Sequence, residues 1–244
     1  MKSSMTLFCL PHAGASANVY APWRRLLPHW MTVHPVELPG RGNRLNQPLV
    51  KDFDVLVAQL ADELSAAAHS TPRYALFGHS LGGLLAFELA YALAELGVSM
   101  PAALFVSGAP GPIWRDIARD DFSSTWPTDA QLMEELRRLN GMPTELLQNA
   151  ELMEMVLPVM AGDFRLGASF VRRERTPLRC PIYAFGGTRD PVVSTAALHA
   201  WQCETTAEFK TQMFDGDHFF IRDHERVLLG RLEALSAQSV VEAA

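Results

Sequence analysis

The sequence predicts an α/β fold in which a mostly parallel central sheet carries helices on both faces. Three observations support this. Short, continuously apolar runs recur along the chain, as buried parallel strands with no solvent face require. Helical stretches with one apolar face separate most of these runs, and such alternation builds strand–helix–strand crossovers. The chain has 244 residues, 48% of them hydrophobic, which is ample for a core.

The elements follow in order. "TLFCL" (6–10) is an apolar run ending at Pro11 and reads as the first strand. "NVYAPWRRLL" (18–27) reads as a short helix. "MTVHPVEL" (31–38) reads as a second strand, closed by Pro39-Gly40. Over residues 52–68, Phe53, Leu56, Val57, Leu60, Leu64 and Ala67 fall on one helical face. "YALF" (74–77) is a third buried strand. Leu85, Leu89, Leu93 and Leu96 then recur at helical spacing until Gly97 caps the helix. "ALFVSG" (103–108), "IYAFGG" (182–187) and "EFKTQMF" (208–214) are further strands, and residues 223–236 read as a closing helix.

Residues 109–181 break the alternation. Thr128 with Gln131 forms a capping-box pattern, and Leu132, Leu136 and Leu139 follow on one face. Asn140-Gly141 punctuates, and a second helical stretch covers about 144–171, with an interruption expected at Pro158. Five of the ten methionines (Met133, Met142, Met153, Met155 and Met160) lie here. They fit a small helical core, or a lid over a substrate tunnel in which flexible thioethers adapt to varied acyl chains.

Bulk properties remove several classes of function. A formal net charge of -6 argues against nucleic-acid or anionic-membrane binding by the chain as a whole. Cys9, Cys180 and Cys203 are too few and too scattered for a disulfide framework or a metal site. The opening "MKSSMTLFCLPHAG" has too short an apolar run for a signal peptide or a membrane span, so a reduced, cytoplasmic protein is expected, with monomer as the default state.

Chemistry concentrates at Gly78-His79-Ser80-Leu81-Gly82. This is the G-x-S-x-G pattern between a strand and a helix, a sharp turn that lifts a serine hydroxyl above the sheet. Side chains at the flanking positions would collide with neighbouring backbone, so glycine is required there. The helix after the serine aims its first amides at the site, which favours developing negative charge. A serine hydroxyl needs a base, and the elbow predicts an acid and then a histidine downstream. His218, in "DGDHFF", lies just past a strand, at the carboxyl edge where α/β folds gather their ligands. His199 falls within a helix and His224 at the start of one, so both read as surface or cap positions. Asp190 follows the strand "IYAFGG", and Pro191 biases its backbone towards an extended form. Asp215 and Asp217 read as turn residues, and Asp163 as a weaker rival within the inserted helices. The oxyanion hole needs two backbone N–H groups: that of Leu81, after the nucleophile, and one from the loop "LPHAGASA", where Ala13 is the candidate. His12 and His79 read as packing or hydrogen-bonding partners.

The blocks "LPHAGASANVYAPW", "VELPGRGNR", "YALFGHSLGGLLAFELA", "PIYAFGGTRDPVV" and "FDGDHFFI" together resemble the type II thioesterases, the stand-alone editing hydrolases of nonribosomal peptide and polyketide assembly lines. The resemblance covers nearly the whole chain in order. It implies one α/β-hydrolase domain over residues 1–244, with a helical lid inserted at about 112–175. It implies hydrolysis of acyl thioesters on the phosphopantetheine arm of acyl or peptidyl carrier proteins, with no cofactor of the enzyme's own and no metal. It assigns Ser80, Asp190 and His218 as the triad and Ala13 and Leu81 as the oxyanion donors. The chain departs from the family in two places. "MAGDFR" (160–165) stands where an Arg-Ala-Asp-Phe run is common, and the block ending at the loop histidine, His218, reads Gly-Asp-His where Gly-Gly-His is common. An acidic carrier protein would dock on arginines near the lid, with Arg172, Arg173 and Arg175 as candidates.

Other activities share these residues. A triad fixes acyl transfer but not the leaving group, so a general carboxylesterase or a chain-releasing thioesterase of fatty-acid synthesis would look alike. A non-catalytic binding module on the same fold would have no use for an activated serine.

Overall fold

Among the described residues, six strands form one sheet: β1 (Met5–Leu10), β2 (Met31–Pro35), β3 (Tyr74–His79), β4 (Leu104–Ser107), β5 (Ile182–Gly187) and β6 (Phe209–Phe214). Their spatial order is β2-β1-β3-β4-β5-β6, and each neighbouring pair is parallel. The structure is a computed structural model, and it describes residues 4–117, 128–142 and 144–238. The helices are α1 (Trp23–Leu26), α2 (Phe53–Ser70), α3 (Leu81–Glu95), α4 (Pro112–Ile117), α5 (Asp129–Arg138), α6 (Thr144–Leu147), α7 (Ala150–Ser169), α8 (Thr195–His199), α9 (Phe220–Asp223) and α10 (Glu225–Gln238).

The uninterrupted apolar strands are explained by a core on each face of the sheet. Along β5, Ile182 and Ala184 enter one apolar layer, while Tyr183 and Phe185 enter the other. α2 and α3 cover the first layer with Phe53, Leu56, Leu60, Leu85, Leu89 and Leu93. Trp23 of α1 and Leu228, Leu229 and Leu232 of α10 cover the second. Each fully buried side chain of this kind contributes about 1.5–3 kcal/mol. Because all strands run the same way, the loops after β1, β3, β5 and β6 emerge at one edge.

Helix ends follow local chemistry. α3 ends in a Schellman motif: Val98 N–H donates to Leu93 O at 3.0 Å, and Gly97 sits at φ +80. α5 opens on the expected capping box of Thr128 and Gln131. It closes with Asn140 at φ +54, and Gly141 N–H donates to Leu136 O at 2.8 Å.

Several boundaries differ from the sequence expectation. The first helical stretch divides into a 3-10 turn at Ala17–Tyr20 and α1. β2 stops at Pro35, although the Val36 N–H still donates to Cys9 O at 2.9 Å. The closing helix breaks at His224 into α9 and α10. The inserted stretch breaks near Asn149, not at Pro158. Asn149 caps α7 by accepting the Leu152 N–H at 3.0 Å, and α7 runs on through Pro158. Pro158 is exposed, as is Glu154 four residues earlier, so the carbonyl left without an N–H partner is on the solvent side. The inserted helices α5, α6 and α7 bury Leu136, Leu147, Met153 and Met160 in a core of their own, with Met133 and Met142 packed beside it and Met155 exposed.

Candidate active site

The turn between β3 and α3 is strained in the way its glycines anticipate. Ser80 has φ 54 and ψ -118, in the left-handed region that side chains rarely adopt. Its N–H donates to Ser107 O at 2.7 Å, which ties the turn to the end of β4. A Cβ at Gly78 would stand 1.9 Å from Gly82 O, and one at Gly82 would stand 2.2 Å from Leu10 O. Glycine is therefore a steric requirement at both positions. Leu81 opens α3, so its N–H is among the first-turn amides that have no partner within the helix.

His218 lies beyond β6 and is 3% exposed. Its Nδ1 donates to Asp190 Oδ2 at 2.8 Å, and the Asp190 carboxylate is enclosed. Asp190 Oδ1 accepts the N–H groups of Val192 at 2.8 Å and Val193 at 3.2 Å, so one oxygen fixes the loop and the other holds the imidazole. With Nδ1 carrying the proton towards Asp190, Nε2 is left as the basic nitrogen. Ser80, His218 and Ala13 line one cavity of about 90 Å³. Among the described residues no hydrogen bond joins Ser80 Oγ to His218, and such bonds tighten when substrate binds. Apolar groups from the inserted helices, including Leu136, Met142, Val156 and Met160, form the rest of the wall.

The other acids and histidines have different tasks. Asp215 pairs with Arg189 and accepts from Thr188 Oγ1. Asp217 accepts the Phe219 N–H at 2.8 Å and the Asn140 amide at 3.1 Å, so the aspartate of the Gly-Asp-His departure links the His218 loop to the end of α5. His199 Nε2 lies 3.4 Å from Thr211 Oγ1, and His224 Nε2 lies 2.7 Å from Asp215 O. His79 is fully buried, and its Nδ1 meets Ser107 Oγ at 3.0 Å. Burial, reinforced by the nearby His218, drives its pKa well below the usual 6.5. His12 lines the cavity, and burial lowers its pKa to about 4. Both rings are therefore neutral in the range where a hydrolase base must work. His12 Nδ1 donates to the carbonyl of Ala13 at 3.0 Å.

Some residues at the site were not singled out by sequence reasoning. Glu37 accepts Ser16 Oγ at 2.7 Å and the Ala17 N–H at 2.9 Å, bracing the far end of the loop after β1. Arg41, in the Pro-Gly-Arg-Gly stretch, forms a bidentate pair with Asp163 of α7. Arg222 donates to the carbonyls of Asn140 at 3.0 Å and Gly141 at 2.6 Å and lies over the Phe219 ring. The only local cue was that Glu37 and Arg41 flank a Pro-Gly turn just after an edge strand.

The basic run after α7, which holds the candidate docking arginines, is engaged in ion pairs within the chain. Arg172 pairs with Glu204 at 3.1 Å, Arg173 with Asp54 at 2.5 Å, and Arg175 with Glu88 while stacking over Tyr91 at 3.5 Å. Glu88 is 4% exposed in the middle of α3 and needs a counter-charge there. These arginines fasten the chain leaving α7 to the body of the protein.

Comparison with known proteins places the chain in a family. The thioesterase domain family model matches residues 5–235. The protein named linear gramicidin dehydrogenase LgrE, from Brevibacillus parabrevis, is 36% identical over 237 residues, which span 96% of this chain and 88% of that one. The solved structure of the type II thioesterase BorB, from the borrelidin biosynthetic cluster, is 36% identical with a TM-score of 0.84, covering 97% of this chain and 94% of that one. ClbQ, from the colibactin NRPS/PKS pathway, is 35% identical with a TM-score of 0.87, covering 98% and 99%. The word dehydrogenase in the first name finds no counterpart in the loop after β1. That loop reads Pro11-His12-Ala13-Gly14-Ala15, without the G-x-G-x-x-G run that cradles a dinucleotide. The chain belongs to the thioesterase domain family and has type II thioesterases among its relatives.

Proposed function

We propose that this enzyme hydrolyses acyl thioesters held on the phosphopantetheine arm of acyl or peptidyl carrier proteins, clearing misprimed nonribosomal peptide or polyketide synthase modules. The observation that carries the chemistry is the His218–Asp190 hydrogen bond at the wall of the cavity that Ser80 also lines. The family and its type II members support the thioester as the bond cleaved.

In this reading Asp190 holds His218 with Nε2 facing the cavity. Nε2 takes the Ser80 proton as Oγ attacks the thioester carbonyl, and the oxyanion is held by the N–H groups of Ala13 and Leu81. The carbon–sulfur bond breaks, His218 gives its proton to the sulfur, and the pantetheine thiol leaves. Ser80 now carries the acyl group. Water enters, gives a proton to Nε2 and attacks the ester, and collapse returns the proton to Ser80 as the free acid departs. The balance is one thioester and one water to one acid and one thiol, so water is the only reactant besides the thioester, and the acyl group arrives on the partner's arm. α5, α6 and α7 act as the lid, their methionines and leucines forming an apolar wall for the acyl chain.

The test is a panel of acyl-carrier protein, acyl-coenzyme A and a nitrophenyl ester, each with wild type and Ser80→Ala. The proposal expects turnover that favours the carrier-bound thioester and vanishes in the variant. Preference for the nitrophenyl ester would make the enzyme a general esterase.

A further inference from the structure

We propose that Asp163, on the inserted helix α7, is a positioning residue for the oxyanion loop. It holds the Gly14 amide and thereby sets where the Ala13 N–H stands relative to Ser80. The inference rests on the roles proposed above for Ser80 and Ala13.

Asp163 is 2% exposed and lies 149 residues from Gly14 in sequence, yet its Oδ2 accepts the Gly14 N–H at 2.7 Å. The carbonyl of the same peptide, that of Ala13, is held by His12 Nδ1 at 3.0 Å. Both ends of the Ala13–Gly14 peptide are therefore tied, and its plane cannot turn. That fixes the backbone on the carboxyl side of Ala13, next to the amide that would meet the oxyanion. Gly14 stands at φ +77, and a Cβ there would lie 2.6 Å from Met160 Cγ, so α7 rests directly on this loop. The geometry of an oxyanion hole must be right to a fraction of an ångström for its donors to act.

A bare carboxylate beside a developing oxyanion would oppose it. Arg41 meets this need: its guanidinium nitrogens reach Asp163 at 2.5 Å and 2.7 Å, and it is 6% exposed. It also approaches Ala15 O, so the same cation touches the loop it steadies. A buried ion pair is weak evidence for stability in itself. This one ends on a backbone amide of the catalytic loop. The lid helix thus supplies part of the oxyanion machinery, and the loop is in working order only while α7 is seated.

The experiment compares wild type, Asp163→Ala, Asp163→Asn and Ser80→Ala. The readouts are kcat and KM on butyryl-N-acetylcysteamine, the inhibition constant of an alkyl trifluoromethyl ketone, and the thermal midpoint. The ketone forms a serine adduct that carries the oxyanion, so its affinity reports the hole itself. Losing one oxyanion donor outright costs about 10²- to 10³-fold in kcat, so misplacing one in Asp163→Ala should cost about 10- to 100-fold. KM should stay within about twofold, and ketone affinity should fall in step with kcat. Asp163→Asn keeps an oxygen for Gly14 but loses the charge, and should fall between wild type and Asp163→Ala. Wild-type kcat and ketone affinity in a folded Asp163→Ala, whatever its midpoint, would make the residue structural and overturn the proposal. If Asp163→Ala does not fold, wild-type values in Asp163→Asn overturn it instead. Turnover retained by Ser80→Ala would bring down the underlying triad, a separate and recognisable failure.

Discussion

The three side chains of the proposed triad differ in their surroundings. Ser80 is held in a strained turn, His218 is buried with one nitrogen committed to Asp190, and Asp190 is itself pinned by two backbone amides. Asp190→Asn keeps the shape but favours the wrong imidazole tautomer, so kcat should fall about 10²- to 10⁴-fold with little change in the thermal midpoint. Near-wild-type turnover in that variant would remove Asp190 from the mechanism. The two neutral histidines make a different prediction. Their folded pKa values lie below 6.5, that of His12 at about 4, whereas the same rings in the unfolded chain take up protons near 6.5. Between those limits the unfolded state binds more protons, so stability falls as pH falls from about 6.5 towards 4. Urea midpoints measured down that range should drop, and His12→Gln should flatten the slope. A midpoint indifferent to pH there would refute the assignment of neutral rings.

The elbow and the inserted helices show how elements constrain the site. Gly82→Ala would drive a Cβ to 2.2 Å from Leu10 O, where backbone must move. A loss of about 3 kcal/mol in stability is expected, together with loss of turnover. A folded, active Gly82→Ala would show that β1 yields more easily than its pairing on both sides, with β2 and β3, implies. Asn149→Ala removes the cap of α7 and should cost about 1 kcal/mol, read as faster amide exchange in its first turn. Ser80 and Asp190 were legible because each follows a fully buried apolar strand, β3 or β5; His218 follows β6, where only Phe214 is buried, and its position past a strand and within a turn was the cue. The α5 cap was legible too, since Thr128 and Gln131 act within one turn. The break at Asn149 was not, because Pro158 is the stronger local signal and only its exposure shows why the helix tolerates it.

Across the whole molecule, two apolar layers on a parallel sheet hold the loops after β1, β3, β5 and β6 at one edge, and the inserted helices close over them. The layers could be anticipated from the uninterrupted strands, but the links between distant segments could not. Arg41 meets Asp163 across 122 residues, and Arg175 meets Glu88 across 87. No periodicity announces such pairs; charge along the chain shows where ions are, not which ones meet. The ion-pair partners of Arg172, Arg173 and Arg175 were likewise not legible in the sequence. Charge reversal at Arg175 should accordingly lower the thermal midpoint, because it leaves Glu88 buried beside a like charge. In the proposed reaction the acyl group passes from a carrier-bound thioester to Ser80 and then to water. The most direct measurement loads an acyl-carrier protein, adds wild type or Ser80→Ala, and follows free acid and free pantetheine thiol together. Equal release of both by wild type and none by Ser80→Ala is the predicted result; release of acid by Ser80→Ala would contradict it.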